Sequence, residues 1–324
     1  MVTVLRASML LLCLAAPSAV LADLTRPLAD PRVAVAAQPA GHIDLLAGER
    51  SFTLLALDVD PRGELWGLTA ERNRLVHLAA DGRRAVFPGG QTRDAVHAFP
   101  SRLFARSGLK LFTLDPWAVQ LARYDLTGFP EVEIDLAAKL EAADESFADP
   151  VDFCLSRSGD LYVLDAARAR IVVFADDGEF RRVLGETEPL GVGDPAAIDI
   201  DGDGALYVLG LSPPAVARIG RDGAIGVRSV GNAEGAPVTA VALAVDPWGN
   251  AFVSDSAQRR IWVLPARGGA AWSWPLEESV IPGELAADGS GRVWIAGRGA
   301  ARVWVYEIRH RPREASGRDM ARPR

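Results

Sequence analysis

Across residues 150–185 (PVDFCLSRSGDLYVLDAARARIVVFADDGEFRRVLG), four short apolar runs alternate with polar, turn-forming residues. The first run, 151–155, ends at a turn through Ser158-Gly159. The second, 161–164, leads into a polar loop over 165–170. The third, 171–174, ends at Asp177-Gly178, and 180–184 closes the unit. Runs this short, rich in β-branched and aromatic residues and bounded by Gly and Asp, predict an up-and-down antiparallel meander.

The pattern recurs along the chain. Residues 194–231 repeat it through Asp203-Gly204 and Asp222-Gly223, 240–274 through Gly249-Asn250, and 55–88 through Arg62-Gly63 and Asp81-Gly82. Residues 283–308 carry three of the four strands, through Ser290-Gly291, and 98–134 form a weaker copy through Ser107-Gly108. The first-turn glycines, Gly63, Gly108, Gly159, Gly204, Gly249 and Gly291, are spaced 45, 51, 45, 45 and 42 residues apart. An aromatic residue stands three positions after the glycine in five copies: Trp66, Tyr162, Tyr207, Phe252 and Trp294. In the weak copy Phe112 comes one position later. A period in the forties with four strands per unit predicts an all-β fold, a six-bladed β-propeller of four-stranded antiparallel blades. The regular aromatics are read as core. The last copy lacks a fourth strand, so a strand from within 33–46 is expected to close it and remove two open sheet edges at once.

Residues 1–22 carry Arg6, an apolar stretch over 9–16 and a small residue at Ala22, the pattern of a cleaved secretory signal. The stretch is too short for a membrane span. Residues 23–40 read as an extended leader, 41–308 as the propeller and 309–324 as a basic disordered tail. The expected location is periplasmic or secreted, with no transmembrane span. The two cysteines are Cys13 and Cys154, so a chain that has lost its signal keeps one and forms no internal disulfide. The net charge is −7, and it becomes −12 without Arg6 and the tail, whose six Arg outnumber Glu314 and Asp319. So acidic a body argues against nucleic-acid binding. A monomer is expected.

Three segments resemble the NHL repeat: Asp199-Ile-Asp201-Gly-Asp203-Gly204-Ala-Leu-Tyr207-Val208, Val245-Asp246-Pro-Trp-Gly249-Asn250-Ala-Phe252-Val253-Ser-Asp255, and Gly159-Asp-Leu-Tyr162-Val163-Leu-Asp165 running on to Ile171. The resemblance covers nearly the whole mature chain and implies six-bladed propeller architecture, related to that of gluconolactonase-like and streptogramin-lyase-like propellers. It leaves activity open, because this architecture hosts lyases, lactonases, RNA binders and interaction modules. The chain lacks the histidine-bearing blade starts expected of streptogramin-lyase-like propellers. It also lacks the histidine pattern of amidating lyases, having only His42, His77, His97 and His310.

No G-x-S-x-G elbow, P-loop or dinucleotide fingerprint is present. Asp199-Ile-Asp201-Gly-Asp203-Gly204 matches half a calcium loop, but the twelfth position is Gly210. Asp60, Asp246 and Asp288 stand where Asp201 does, so these aspartates are read as turn-bonding residues. Alignment on the first-turn glycines places Ala56, Ser101, Asp152, Ala197, Ala242 and Glu284 seven residues upstream. Five residues upstream stand Asp58, Leu103, Cys154, Asp199, Ala244 and Ala286. The two positions share one side of the innermost strand. Asp58, Asp152, Asp199 and Glu284 are therefore expected to approach the axial channel from four blades, where carboxylates bind a proton or a cation (Ca, Mg or Zn), or stand apart in water. In gluconolactonase-like lactonases and esterases such a channel holds acid and amide ligands; no Asn accompanies the acids here. Cys154 is read as a small buried filler.

The loops between second and third strands share a face with the blade-to-blade connections, and variable loops on a rigid scaffold are where recognition usually sits. Arg72, Trp117, Arg168, Arg259 and Arg298 are the candidate binding residues of this loop face. Asp165 with Arg170, and Asp255 with Arg260, are read as loop clamps. The favoured function is a non-catalytic module without a cofactor, binding a small ligand or an envelope protein. The alternative is a metal-dependent lactonase or esterase using the axial carboxylates.

Overall fold

The computed structural model describes residues 32–45, 53–70, 74–88, 100–105, 110–185, 189–231, 238–266, 268–299 and 302–312. They form six four-stranded antiparallel sheets. Blade 6 begins with β1 (Arg32–Asp44) and takes the other three of its strands from the far end of the chain. Blade 1 is β2 (Leu54–Val59), β3 (Leu65–Thr69), β4 (Arg74–Leu78) and β5 (Arg84–Pro88). Blade 2 is β6 (Arg102–Phe104), β7 (Lys110–Asp115), β8 (Gln120–Asp125) and β9 (Pro130–Asp135). Blade 3 is β10 (Pro150–Leu155), β11 (Leu161–Asp165), β12 (Arg170–Phe174) and β13 (Phe180–Leu184). Blade 4 is β14 (Pro195–Ile200), β15 (Leu206–Leu211), β16 (Pro214–Ile219) and β17 (Ile225–Ser229). Blade 5 is β18 (Ala240–Val245), β19 (Ala251–Asp255), β20 (Arg260–Leu264) and β21 (Trp272–Pro275). Blade 6 is completed by β22 (Pro282–Ala287), β23 (Arg292–Gly297) and β24 (Arg302–Pro312).

The ring closes as expected: the order in blade 6 is β1-β24-β23-β22, with Ala37 opposite Ile308 and Ile43 opposite Val303. This pair is longer than the pattern suggested. Residues 32–40 of the expected leader and 309–312 of the expected tail belong to it. The remaining leader residues, the signal, the tail beyond Pro312 and the Ser107-Gly108 turn lie outside the described residues.

In four blades the first turn is built by one aspartate side chain. Asp201 Oδ1 accepts from the N–H groups of Asp203 (3.0 Å) and Ala205 (2.9 Å). Asp60, Asp246 and Asp288 do the same in their blades. The calcium-loop look-alike is thus a strand–turn–strand held by an aspartate, as the repeat implied. The turn ends in a left-handed residue, with Gly204 at φ 84° and Gly249 at φ 88°, which glycine adopts without strain. The second aspartate oxygen reaches the regular aromatic: Trp66 Nε1 donates to Asp60 (3.3 Å), Tyr207 Oη to Asp201 (3.2 Å) and Trp294 Nε1 to Asp288 (3.1 Å).

The core lies between blades. Trp66, Tyr162, Tyr207, Phe252 and Trp294 are all buried, as expected of core, and so is Cys154. Rings meet across the junctions, as where Phe104 of blade 2 packs 6.2 Å from Phe153 of blade 3. One element was not foreseen: α1 (Leu136–Glu141) between blades 2 and 3, capped by Asp135, whose side chain accepts from Ala138 N–H, and buried through Leu136 and Leu140. No helix among the described residues is long and apolar enough to cross a membrane.

Candidate functional site

The innermost strands, β2, β6, β10, β14, β18 and β22, line an axial cavity of about 60 Å³, and Asp58, Asp152, Asp199 and Glu284 all border it. An innermost strand is a sheet edge, and its outward N–H groups need acceptors. Three of the acids supply them across blade junctions. Asp58 Oδ2 accepts from Ala105 N–H (2.8 Å), Asp152 Oδ2 from Ile198 N–H (2.9 Å) and Asp199 Oδ2 from Val245 N–H (2.6 Å). Asp58 thus joins blade 1 to 2, Asp152 blade 3 to 4, and Asp199 blade 4 to 5. At the junction of blades 5 and 6, Ser254 Oγ accepts from Ala242 N–H and donates to the Gly283 carbonyl, each at 3.0 Å.

Glu284 differs. It occupies the register position of Asp152, but among the described residues its carboxyl makes no hydrogen bond and no ion pair within 4 Å. It keeps some solvent contact along the channel while protein surrounds it. That burial, reinforced by the charge of Asp152, pushes its pKa up to about 7, against the opposing pull of Arg102 and Arg298.

Arg102, on β6, also borders the cavity, and it corrects the glycine-based alignment of blade 2. Arg102 pairs with Leu114 as Ala56 pairs with Leu68 and Asp152 with Leu164, so Arg102 and Phe104, not Ser101 and Leu103, hold the channel-facing positions of this strand. The one-residue offset is visible in the sequence, where Phe112 follows its glycine one position late and a charged residue breaks the column of Leu57, Phe153, Ile198, Leu243 and Leu285. Arg102 Nε lies 3.5 Å from Asp152 Oδ1 and its Nη1 donates to the Ser101 carbonyl (3.0 Å).

On the loop face, the structure gives the candidate residues unlike surroundings. Arg298, in the β23–β24 loop, is exposed and passes over Gly283, where an added Cβ would lie 3.3 Å from Arg298 Cγ. It therefore stands at the channel mouth beside Glu284. Trp117 is 88% exposed, on a loop whose N–H groups are held by buried Asp115. Arg168 is held by Ser146, and the Arg259 guanidinium donates to the Glu278 carbonyl, so both brace neighbouring loops. Arg72 lies outside the described residues. The Asp165–Arg170 clamp is present at 3.2 Å and extends to Glu145. The Asp255–Arg260 clamp is not. Asp255 Oδ2 accepts instead from Trp262 Nε1 (3.3 Å), and the Arg260 guanidinium lies 5.4 Å from the Trp262 ring centre. A bulky indole two residues on takes the acceptor that Arg170 takes in blade 3.

Among the described residues, metal-ligating atoms of three acids or histidines gather within 4.8 Å of one another at Asp60, Glu64 and His77, on the opposite face. These are already matched. Arg62 pairs with both acids, His77 Nε2 lies 3.0 Å from Glu64, and Trp66 stacks on His77 at 4.1 Å.

No protein-family model matches the chain, and no curated protein matches it by sequence. Solved structures match it in fold. Virginiamycin B lyase from Staphylococcus aureus is 17% identical, with a TM-score of 0.56, covering 87% of this chain and 89% of that one. A gluconolactonase from Xanthomonas campestris is 15% identical, with a TM-score of 0.58, covering 88% and 99%. A putative gluconolactonase is 16% identical, with a TM-score of 0.57, covering 89% and 96%. At such identities the likeness is one of fold: this chain is a six-bladed β-propeller structurally similar to virginiamycin B lyase and gluconolactonase propellers.

Proposed function

We propose that the chain is an exported, NHL-like propeller that works as a non-catalytic binding module, taking a small ligand or an envelope protein on its loop face. The mouth of the axial channel, with Glu284, Arg102 and Arg298, is the centre of that face. The observation that carries this reading is the use of Asp58, Asp152 and Asp199 as acceptors for the neighbouring blade's N–H groups. Carboxylates that tie blades together are poorly placed to converge on one calcium, magnesium or zinc ion, whose charge needs several oxygens at about 2.0–2.6 Å. Export rests on the signal-like residues 1–22, and the acidic body favours a partner other than nucleic acid.

The rival reading, a metal-dependent lactonase or esterase, has one observation in its favour: Glu284, with a pKa of about 7, is suited to proton transfer at neutral pH. It requires an ion held by at least three of the four axial acids.

A thermal-shift screen of small polar metabolites separates the two. The binding module predicts ligands that raise the melting temperature of the wild type, lose that effect in Arg298→Ala or Glu284→Gln, and keep it in Arg83→Ala on the opposite face. Metal-dependent hydrolysis of lactones or esters, abolished in Asp199→Asn, would overturn it.

A further inference from the structure

Two opposite charges stand at the channel mouth without touching. Glu284 carries a carboxyl with no hydrogen-bond or ion-pair partner among the described residues, and the same holds for the guanidinium of Arg298. Arg102 completes the positive side, with its Nε 3.5 Å from Asp152 and its Nη1 on the Ser101 carbonyl. The positions equivalent to Glu284 on blades 1, 4 and 5 are Ala56, Ala197 and Ala242, all bordering the cavity, so small side chains leave room there. A lone anion would meet the nearby Asp58, Asp152 and Asp199; a lone cation would meet Arg102 and Arg298. A molecule carrying both charges a few bonds apart satisfies each side.

Resting on the binding-module reading above, we propose that the channel mouth binds a small zwitterion, an α-amino acid with a short side chain. Its ammonium is taken by Glu284 and its carboxylate by Arg298 and Arg102. The cavity of about 60 Å³ suits a molecule of a few heavy atoms.

Binding of the ammonium requires ionised Glu284, so affinity depends on pH. The charges acting on Glu284 are those of Arg102 of β6, Asp152 of β10 and Arg298 beyond β23, and Asp58 of β2 and Asp199 of β14 border the same cavity. The packed strand β18 (Ala240–Val245) presents no titratable side chain, and Asp255 of β19 is engaged by Trp262 and Thr239. With a pKa of about 7, the ionised fraction falls about thirty-fold between pH 8 and pH 5.5.

The test is calorimetric titration of the chain with L-alanine, acetate and methylammonium at both pH values. L-Alanine is expected to bind at pH 8, about thirty-fold more weakly at pH 5.5, and at least about ten-fold more tightly than either half-molecule. Arg298→Ala is expected to lose about ten-fold or more, and Glu284→Gln to lose affinity and flatten the pH dependence. Equal binding of acetate, equal binding of methylammonium, or no L-alanine binding at about 10 mM overturns the proposal. In the last case, a ligand of another class that is lost in Arg298→Ala leaves the binding module standing, whereas metal-dependent turnover removes both.

Discussion

Asp152 and Glu284 hold the same register position on two innermost strands, yet the aspartate reaches the next blade and the glutamate does not. The aspartates therefore carry stability. Removing Asp199 leaves the Val245 N–H without its acceptor in a buried site, and Asp199 also accepts from Ile200 N–H at 2.7 Å. Asp199→Ala is expected to cost about 2–3 kcal/mol in urea unfolding; a change under about 0.5 kcal/mol would contradict the tie. Glu284 acts in the opposite sense. Its folded pKa of about 7 lies above the ordinary 4.5, so the native state holds an extra proton between those values. Stability falls as pH rises through that window. Glu284→Gln is expected to stabilise the protein by about 1–3 kcal/mol at pH 8 and to match the wild type below about pH 4.5, as read from unfolding curves at both pH values. The column of axial acids is legible because the strands of the other five blades align on their glycines, whereas β6 is offset by one residue, which hides Arg102. The use of these acids is not, because an alignment places a carboxylate without saying which N–H lies across the junction.

At the level of the strand and its turn, nearly all of a blade is written in short spacing: Asp, then Gly three residues on, then an aromatic three further. Asp201, Gly204 and Tyr207 show the reason, since one carboxylate bonds both the turn and the ring hydroxyl. Tyr207 Oη also lies 3.2 Å from the Gly249 carbonyl of the next blade, so its one proton is shared between that oxygen and Asp201. An added Cβ on Gly249 would lie 2.5 Å from that hydroxyl, whereas one on Gly82, also left-handed, meets nothing within 4 Å. Gly249→Ala is expected to destabilise by about 2 kcal/mol or more and Gly82→Ala by about 1 kcal/mol, measured side by side by thermal unfolding. Helix α1 was hidden because six residues with two buried leucines make too little periodic pattern to stand out. The Asp255–Arg260 pair misled for a related reason: spacing does not reveal that Trp262 competes for the same oxygen.

For the whole ring, closure depends on a strand brought from the start of the chain. β1 supplies the outer edge of blade 6 along eleven paired positions, from Arg32 with Pro312 to Asp44 with Arg302. Deleting residues 1–44 exposes β24 as a long edge, and the shortened chain is expected to lose cooperative unfolding and to associate, seen by light scattering and urea titration. Closure was foreseeable because the last copy lacked a strand and the first residues held a spare one. Its extent was not, since basic and proline-containing residues 309–312 look unlike a strand until β1 pairs with them.

The central claim is that the axial aspartates hold the ring together and leave the channel mouth to recognition. Calorimetric titration of the chain with calcium, magnesium and zinc tests it most directly, with Asp199→Ala and Glu284→Ala beside it. The account predicts no specific binding up to about millimolar metal. Tight binding by the wild type that disappears in both variants would contradict it, and would make the channel a metal centre.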